Sequence, residues 1–455
     1  MIRAWVQVVI LNAFFLPSVF AEPLNLDQAI ERALNTDPRI SELEKLVDVA
    51  RATLAEAQGS DDLKISVNSF IGLSPGLTGG LSVNDVDCES GKGCVNRTDR
   101  YTLEEGLSLW NYIDYRIIKP LYTFGKIKHF SAAARANIGI KEGDVSVRQG
   151  ATVLQVKQAY YGHLAAADTY AFLLDMKSRV DASIETVEIW LEDGEGHVKN
   201  ADLFALQTAS GIAASYISQA EALKKISLDG LKVLIGVDLE GELELADTRI
   251  RPVPLPEKTL EQLKQQALLV RPEMRQLEFG LKARRSLVAA NKALSKPNIY
   301  TGFGGMISYS PNRDRLDNPH IYDPFNDWGG TPVLGMQWEW QGGVSSAKVA
   351  KSKAELAALI EKSSFARSGI PFQVSESYHN VHAFHDAVKN LAKSSRAARR
   401  WMISTYTDFD AGLEQAEKIV TAFQGYVLAH SGYLQTVYEY NMHVAKLDNV
   451  TGVDR

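Results

Sequence analysis

The sequence has few cysteines, no excess of basic charge and, beyond its N-terminal segment, no long apolar run. Only 2 of 455 residues are cysteine, which excludes a disulfide-rich scaffold and a cysteine-rich zinc module. Lys and Arg number 49 against 55 Asp and Glu, and no nucleic-acid-binding motif is present, so a nucleic-acid partner is not expected. No later segment has the roughly 18 consecutive apolar residues that a transmembrane helix needs. Hydrophobic residues nevertheless make up 45% of the chain, which is enough for a folded core.

The first 21 residues have the pattern of a secretory signal peptide. A positive charge at Arg3 precedes the mostly apolar stretch Ala4–Val19, and small or aliphatic residues lead to a cleavage point after Ala21. An uncleaved membrane anchor is the alternative, but Gln7 and Asn12 interrupt an already short run. No cysteine lies near the cleavage point, so no N-terminal lipid anchor is expected. The sequence therefore predicts export into an oxidising compartment.

The remaining chain contains an internal repeat. The segment that begins at Leu26 recurs at Leu260 with a constant offset, and a second constant offset relates later positions such as Gly125 and Gly343. The first half has a longer stretch between these two registers. We predict a first repeat over residues 22–238, a linker over 239–256 that ends in three closely spaced prolines, and a second repeat over 257–455.

Each half has the same predicted order of elements. A helix pair is broken at Asp37-Pro38 or Arg271-Pro272, because proline ends or kinks a helix. Two strands follow, at about 63–73 and 107–121 in the first half and at about 299–310 and 331–340 in the second. A long helical hairpin then spans 125–235 or 343–448. In the second long helix, Gly369-Ile370-Pro371 predicts a kink or a break.

The four predicted strands alternate between apolar and polar residues. In the last strand, for example, Leu334, Met336, Trp338 and Trp340 share one face. Strands of about 9–11 residues with this pattern and flanking aromatic residues fit a transmembrane β-barrel, although a soluble sheet alternates in the same way. Four strands cannot close a barrel, and open edges are not tolerated in lipid. If the strands span a membrane, two chains would supply eight strands and three chains would supply twelve.

The long helices exceed the needs of a compact domain. Gly125–Glu192 contains no proline, and its apolar residues recur at steps of three and four, which is typical of a long packed helix or coiled coil. At 1.5 Å per residue this stretch is about 100 Å long.

Several stretches resemble the TolC family of outer-membrane channel proteins. They are the Leu26–Leu34 segment followed by Asp37-Pro38, the strand-to-helix corner Lys119–Lys126, the hairpin turn Phe409–Leu413, and the end of the closing helix, Tyr433–Asn441. The resemblance covers essentially residues 22–455. It implies a mainly α fold with a small β part. Long antiparallel hairpins would form a periplasmic α-barrel, continuous with a trimeric transmembrane β-barrel to which each chain contributes four strands.

The resemblance also implies a function and partners. The chain would be a passive exit duct of an efflux pump or a type I secretion system, with no cofactor and no enzymatic activity. It would work as a homotrimer in outer-membrane lipid, with a periplasmic adaptor and an inner-membrane transporter of the RND, ABC or MFS type. The alternative is a soluble periplasmic coiled-coil scaffold or adaptor protein. The sequence indicates neither the exported substrate nor the transporter class.

The candidate site residues lie at the hairpin turns. Gly194, Gly196 and Gly412 are the predicted tip turns, where the resemblance implies adaptor contact. Acidic residues crowd these turns and two arginines lie a few turns back, so we predict a periplasmic gate formed by Asp193, Asp202, Asp408, Asp410, Glu414, Glu417, Arg399 and Arg400. Solvated helix ends are the plainer interpretation. The family usually has an acidic residue six positions after the turn glycine, but this chain has Lys418 there in the second half.

Two further groups of residues invite a chemical interpretation. Cys88 and Cys94 lie in one loop of an exported chain, which predicts a disulfide in a loop that faces outside the cell. His379, His382 and His385 recur at steps of three on a helix, but such steps drift around the helix, so a polar patch is favoured over a metal site. No nucleophilic or paired-carboxylate constellation stands out, which argues against an enzyme.

Overall fold

The computed structural model describes residues 23–78, 100–194, 198–311 and 323–453. The predicted signal peptide, Cys88, Cys94 and Gly196 lie outside these ranges. Helices and strands follow one another in the order α1 (Leu26–Thr36), α2 (Pro38–Gly59), β1 (Lys64–Thr78), β2 (Arg100–Tyr122), α3 (Lys126–Glu192), α4 (Asn200–Leu234), α5 (Leu260–Val270), α6 (Pro272–Ala293), β3 (Asn298–Tyr309), β4 (Asp327–Gln337), α7 (Gly343–Asp410) and α8 (Ala416–Thr451).

The same sequence of elements therefore occurs twice, and matched helices have nearly equal lengths. The long helices α3 and α7 contain 67 and 68 residues, and the returning helices α4 and α8 contain 35 and 36. Both short first helices begin with a capping box, Asn25 with Gln28 in α1 and Thr259 with Gln262 in α5. Descent of the two halves from one duplicated unit stays a prediction from the sequence.

Helix α7 is continuous where the sequence predicted a kink or a break. Pro371 lies inside the helix, which runs from Gly343 to Asp410, so the predicted break is wrong. Ile370 and Val374, on either side of the proline, are buried in the helical core and hold this segment in place. Packing here outweighs the loss of one backbone hydrogen bond.

The strands differ from their predicted bounds for reasons of pairing. Strand β1 continues past Leu73 to Thr78 because a bulge between Pro75 and Gly76 accommodates the proline. Strand β2 likewise extends beyond its predicted start, to Arg100. Strand β4 ends at Gln337, opposite the first residue of β3, so Trp338 and Trp340 lie beyond the ladder instead of within the strand.

The chain divides into two compact units. The first comprises residues 1–43, 144–274 and 366–455, and the second comprises 44–143 and 275–365. The first unit has two helical cores, one around Tyr160, Val374 and Tyr440 and one around Leu206, Phe409 and Ile419. The second unit contains an antiparallel sheet in the order β1-β2-β3-β4 together with parts of α2, α3, α6 and α7.

The linker between the halves is fixed to the first unit by side chains that sequence reasoning did not single out as anchors. Tyr160 donates a hydrogen bond to Asp247 (2.7 Å), and Asp168 accepts one from the backbone N–H of Ile250 (2.8 Å). Asn441 accepts from the N–H of Val253 and donates to the linker backbone with the other atom of its amide. These side chains replace the backbone pairing that a proline-containing segment lacks.

Candidate functional site

One face of the sheet is almost entirely apolar. The register places Val67 opposite Tyr115, Tyr115 opposite Gly305 and Gly305 opposite Gly330, so odd-numbered residues of β1–β3 share a face with even-numbered residues of β4. The large exposed apolar side chains of this face are Ile65, Val67, Ile71, Leu73, Leu107, Leu109, Phe303, Ile307, Tyr309, Trp328, Leu334 and Met336. An apolar patch across four strands exceeds what a water-soluble surface normally exposes.

The opposite face, named here the polar face, carries polar and small residues together with a cluster of aromatic rings formed by Phe70, Trp110 and Tyr112. In β1 and β2 it presents Lys64, Ser66, Asn68, Asp114 and Arg116, and in β3 and β4 it is rich in glycine. Asn68 donates to Asp114 across the two strands (3.1 Å), and Arg116 lies 3.8 Å from the same carboxylate. The sheet is thus two-sided, as the alternation in the sequence predicted.

The sheet also has two unpaired edges. Strand β1 pairs only with β2, and β4 pairs only with β3, within the residues that the structure describes. Such edges offer unsatisfied backbone groups to a further strand.

The hairpin turns predicted from glycine are present at Gly194 and Gly412. Both residues have a φ of 72°, a left-handed conformation that glycine adopts without strain. After α7, the N–H of Leu413 bonds to the carbonyl of Asp408 (2.8 Å), which ends the helix in a Schellman motif. Residues 193–199 connect the first hairpin and residues 411–415 the second, so the first connection is the longer of the two.

An aromatic contact joins the two hairpins close to their tips. The rings of Trp190, at the end of α3, and Phe409, at the end of α7, lie 5.1 Å apart. Phe409 is buried together with Leu206, Ala416 and Ile419 from the two returning helices. The tips of both hairpins therefore pack on a shared core. Leu413 is 77% exposed at the second turn, and Phe204 is 62% exposed near the first.

The predicted gate residues surround these turns, but the structure does not bring them together into one cluster. Asp193, Asp408, Asp410 and Glu417 are exposed. Asp202 accepts a hydrogen bond from the N–H of Lys199 (2.9 Å), so it caps α4.

Glu414 is paired with Lys418 at 2.8 Å, and the hydrogen bond from this lysine lowers the pKa of the carboxylate. Arg399 and Arg400 are exposed and form no ion pair within the described ranges. In the single chain, most of the predicted gate residues are therefore solvated side chains at helix ends, which is the plainer of the two interpretations.

The histidines on α7 pack singly against aromatic rings. The ring of His382 lies 4.4 Å from that of Tyr378, and His385 lies 5.7 Å from Tyr440. Among the described residues, no three His, Cys, Asp or Glu side chains are placed to share a metal ion. In the same ranges, no helix is both long and apolar enough to cross a membrane.

Sequence reasoning missed a second polar cluster, at the break between α1 and α2. Asp37 accepts hydrogen bonds from Arg39 (2.8 Å) and Thr152 (2.7 Å), and Arg148 lies 3.5 Å away. Burial alone would raise the pKa of Asp37, but the bonds from Arg39 and Thr152 outweigh it and hold that pKa well below its usual range. In the sequence, Asp37-Pro38 indicates a helix break and forms part of the family resemblance, and neither interpretation predicts an ion pair. The sequence does contain a signal for this ion pair, because Asp37 is followed two residues later by the opposite charge of Arg39.

Comparison with known proteins supports the resemblance seen in the motifs. No family model matches the sequence. The chain is 25% identical over 304 residues to the probable outer membrane lipoprotein SilC of Salmonella typhimurium; the alignment covers 65% of this chain and 58% of SilC.

Solved structures match over nearly the whole chain. CusC superposes with a TM-score of 0.73 at 16% identity, covering 94% of this chain and 92% of CusC. The Campylobacter jejuni outer membrane channel CmeC gives 0.74 at 13% identity, with 94% and 86% covered, and the Vibrio cholerae outer membrane protein VceC gives 0.73 at 11%, with 94% and 96% covered.

These comparisons agree with an outer-membrane location, since SilC, CmeC and VceC are each described as outer-membrane proteins. CusC and CmeC are described as channels, in keeping with a protein that is not an enzyme. The predicted resemblance is therefore confirmed, and the chain has the fold of the outer-membrane channel proteins of the TolC family.

Proposed function

We propose that this protein is the outer-membrane exit channel of a tripartite efflux pump or a type I secretion system. Three copies each contribute β1–β4 to a twelve-stranded transmembrane barrel, and their helical hairpins form a periplasmic tube. The channel conducts solutes passively and is opened at the hairpin tips. Energy comes from an inner-membrane transporter of the RND, ABC or MFS type, joined to the channel by a periplasmic adaptor.

The two-sided sheet is the observation that carries this proposal. An apolar face suits the hydrocarbon of a bilayer, and a polar face suits a water-filled lumen. The soluble periplasmic scaffold would leave the same apolar face in water. Side chains such as Ile71, Leu334 and Trp328 are each more than 70% exposed in the single chain, which disfavours the scaffold.

Assembly from several chains follows from the two open edges. Lipid offers no hydrogen bonds to the free N–H and C=O groups of β1 and β4, so each edge needs a strand from another copy. The helical part also has unpartnered apolar side chains, among them Leu223, Ile226 and Leu428. These lie along grooves lined by α3, α4 and α8, of about 570 and 580 Å³, which a neighbouring copy can cover. The choice of three copies rests on the family resemblance.

The tips are the proposed contact and gate. Gly194 and Gly412, together with Gly196 from the sequence prediction, shape the surface for the adaptor, and exposed Leu413 adds an apolar contact. Among the described residues of one chain, Arg399 and Arg400 have no carboxylate partner, and we propose that the ion pairs that hold the tip closed form between copies. The predicted disulfide between Cys88 and Cys94 belongs to the loop that joins β1 to β2.

A matched pair of substitutions in β1 tests the membrane role of the sheet. Ile71→Arg places a charge on the apolar face, and Asn68→Arg places the same charge on the polar face, beside Asp114. A lipid-facing arginine near the bilayer centre costs about 2–4 kcal/mol. We expect Ile71→Arg to reduce the carbonate-resistant, detergent-stable trimer in the outer membrane and Asn68→Arg to leave it near the wild-type level.

Equal behaviour of the two variants, or a wild-type monomer in mild detergent by light scattering, would contradict the proposal. Recovery of the wild-type protein in the soluble periplasmic fraction would favour the scaffold.

A further inference from the structure

The segment that leaves β3 and the segment that enters β4 fold back over the sheet. We name the described residues 310–311 and 323–326 the exit stem. They adjoin the last residue of β3, Tyr309, and the first residue of β4, Asp327. Strand β2 runs from this end of the sheet toward α3, so the exit stem lies at the end away from the long helices.

The exit stem contacts side chains of the polar face. The ring of Phe325 lies 5.2 Å from that of Trp110, in an edge-to-face arrangement. The indole N–H of Trp110 donates to the hydroxyl of Ser308 (2.7 Å), which donates to the carbonyl of Pro324 (2.6 Å). Trp110 and Ser308 occupy even-numbered positions of β2 and β3, the positions that face away from the apolar surface.

Buried serines fasten the exit stem across further strands. Ser310 is 1% exposed; its hydroxyl shares a hydrogen bond with that of Ser74 in β1 (2.6 Å) and also contacts the carbonyl of Leu109 in β2 (3.1 Å). The hydroxyl of Ser108 donates to the carbonyl of Pro311. The stem is also tied to itself, since the side chain of Asn326 accepts from the N–H of Ser310 (2.8 Å). Buried and fully bonded polar groups of this kind fix a single conformation.

We infer that the exit stem is a fixed size filter at the outer end of the channel, distinct from the gate at the hairpin tips. The inference rests on the proposed function, in which the polar face lines the lumen. In that arrangement every copy projects Pro311 and Phe325 toward the axis. The filter limits the cross-section of a passing solute by the packing of Phe325 on Trp110, and it does so whether the tips are open or closed.

Thiol labelling from outside the cell measures this filter without involving the tips. Arg116 lies on the polar face, with its side chain 69% exposed, six residues beyond Trp110 toward α3. Arg116→Cys, in a chain with Cys88→Ser and Cys94→Ser, places one thiol behind the exit stem. Intact cells are treated with a small charged maleimide and with polyethylene-glycol maleimides of increasing size.

Two variants alter the exit stem, and a third serves as a control. Phe325→Ala removes the ring, and Ser308→Val removes the hydroxyl that links Trp110 to Pro324. Trp328→Ala removes a larger ring from the apolar face, three residues along the chain. We expect the largest reagents to label Arg116→Cys several-fold faster in the first two variants and at an unchanged rate in the third, at equal amounts of trimer.

Two results would show that the exit stem is not a filter, without affecting the proposed channel. One is labelling of Arg116→Cys at a rate that does not depend on reagent size in the chain with no further change. The other is an equal rate of labelling by the largest reagents in all three variants. If the small reagent fails to reach Arg116→Cys in intact cells but labels it after the cells are opened, the polar face does not line a pore open to the outside. That result would overturn the proposed function as well. If one of Phe325→Ala and Ser308→Val does not assemble, the other still tests the filter.

Discussion

The two breaks in the short helix pairs are fixed by ion pairs of opposite polarity. At the first break Asp37 binds Arg39 at 2.8 Å, and Arg39 donates to Gln155 of α3 (3.1 Å). At the corresponding second break Arg271 binds Glu273 at 2.7 Å and donates to Gln373 of α7 (2.7 Å). Each pair thus ties its break to the same position of a long helix, and in both cases an arginine makes the link.

Neighbouring residues explain why the polarity differs. At the first break Arg148 and Thr152 on α3 also face Asp37, which is 5% exposed. The matching positions of α7 are Ala366 and Ile370, which offer neither a charge nor a hydroxyl. Both breaks therefore carry an ion pair. We expect the neighbouring residues of the long helix to set its polarity, strongly at the first break, where Arg148 faces Asp37, and weakly at the second.

The largest expected difference between the two breaks is in the free energy of unfolding that is lost when the charges of each ion pair are exchanged. Asp37→Arg with Arg39→Glu keeps a pair of opposite charges but places the new arginine beside Arg148 in a buried site. The two like charges repel there, so we expect a cost of about 3–5 kcal/mol, as for breaking a buried ion pair. In Arg271→Asp with Glu273→Arg, the positions that match Arg148 and Thr152 are Ala366 and Ile370, which bring no charge, and the hydrogen bond from Arg271 to Gln373 is lost. We therefore expect a cost of about 1 kcal/mol, the net contribution of one hydrogen bond. Urea unfolding of the purified protein, followed by circular dichroism, gives the two free energies.

Adding Arg148→Ala to the exchanged first break supplies the control. If Arg148 sets the polarity, this third substitution restores part of the lost stability. Equal costs at the two breaks, or no recovery, would show that the polarity has another cause.

Removing a single charge from each ion pair should give a smaller difference in stability between the two breaks. Asp37→Ala leaves Arg148 and Thr152 without their shared acceptor, and losing hydrogen bonds to a buried charge costs about 1.5–3 kcal/mol for each such bond. Arg271→Ala leaves Glu273, whose side chain is 37% exposed and can be solvated. We expect the unfolding midpoint to fall further for Asp37→Ala than for Arg271→Ala. The reverse order would mean that the second break is the more important support.

The smallest predicted effect is a dependence on pH. The pKa of Asp37 in the folded protein lies below the ordinary value of 3.8, so its stabilising contribution is complete above that value and disappears as the pH falls through the folded pKa. Asp37 also accepts a hydrogen bond from the backbone N–H of Arg39 at the start of α2 (2.9 Å). Asp37→Asn keeps this acceptor and removes the charge, so the stability of the variant should decline less steeply between pH 5 and pH 2 than that of the wild type. Parallel declines would place the acid sensitivity elsewhere.

The sequence predicted the elements well and their fine contacts poorly. Proline, turn glycines and periodicity located α3 within a residue of its observed start, because such signals act locally. Pro371 misled because Ile370 and Val374 pack on distant residues, and local rules do not contain that packing. Similarly, β4 ends where β3 begins, and only the register reveals this.

The site was predicted unevenly for the same reason. Gly194 and Gly412 were identifiable because a left-handed turn demands glycine. Asp202 was grouped with the gate by charge alone, whereas the structure shows that it caps α4. The exit stem gave no local signal, since serines and a phenylalanine at these positions acquire meaning only when Ser74, Ser108 and Trp110 are brought beside them.

The unpaired edges of β1 and β4 also constrain the order of events during biogenesis. A newly exported chain can complete its helices alone, because every helical backbone bond is internal, but it cannot complete its sheet. We therefore expect membrane insertion and subunit association to be one concerted step whose rate depends on chain concentration. Until that step, each chain has two adhesive strand edges and an apolar sheet in water, so periplasmic holdases should bind the sheet and release it only at the membrane.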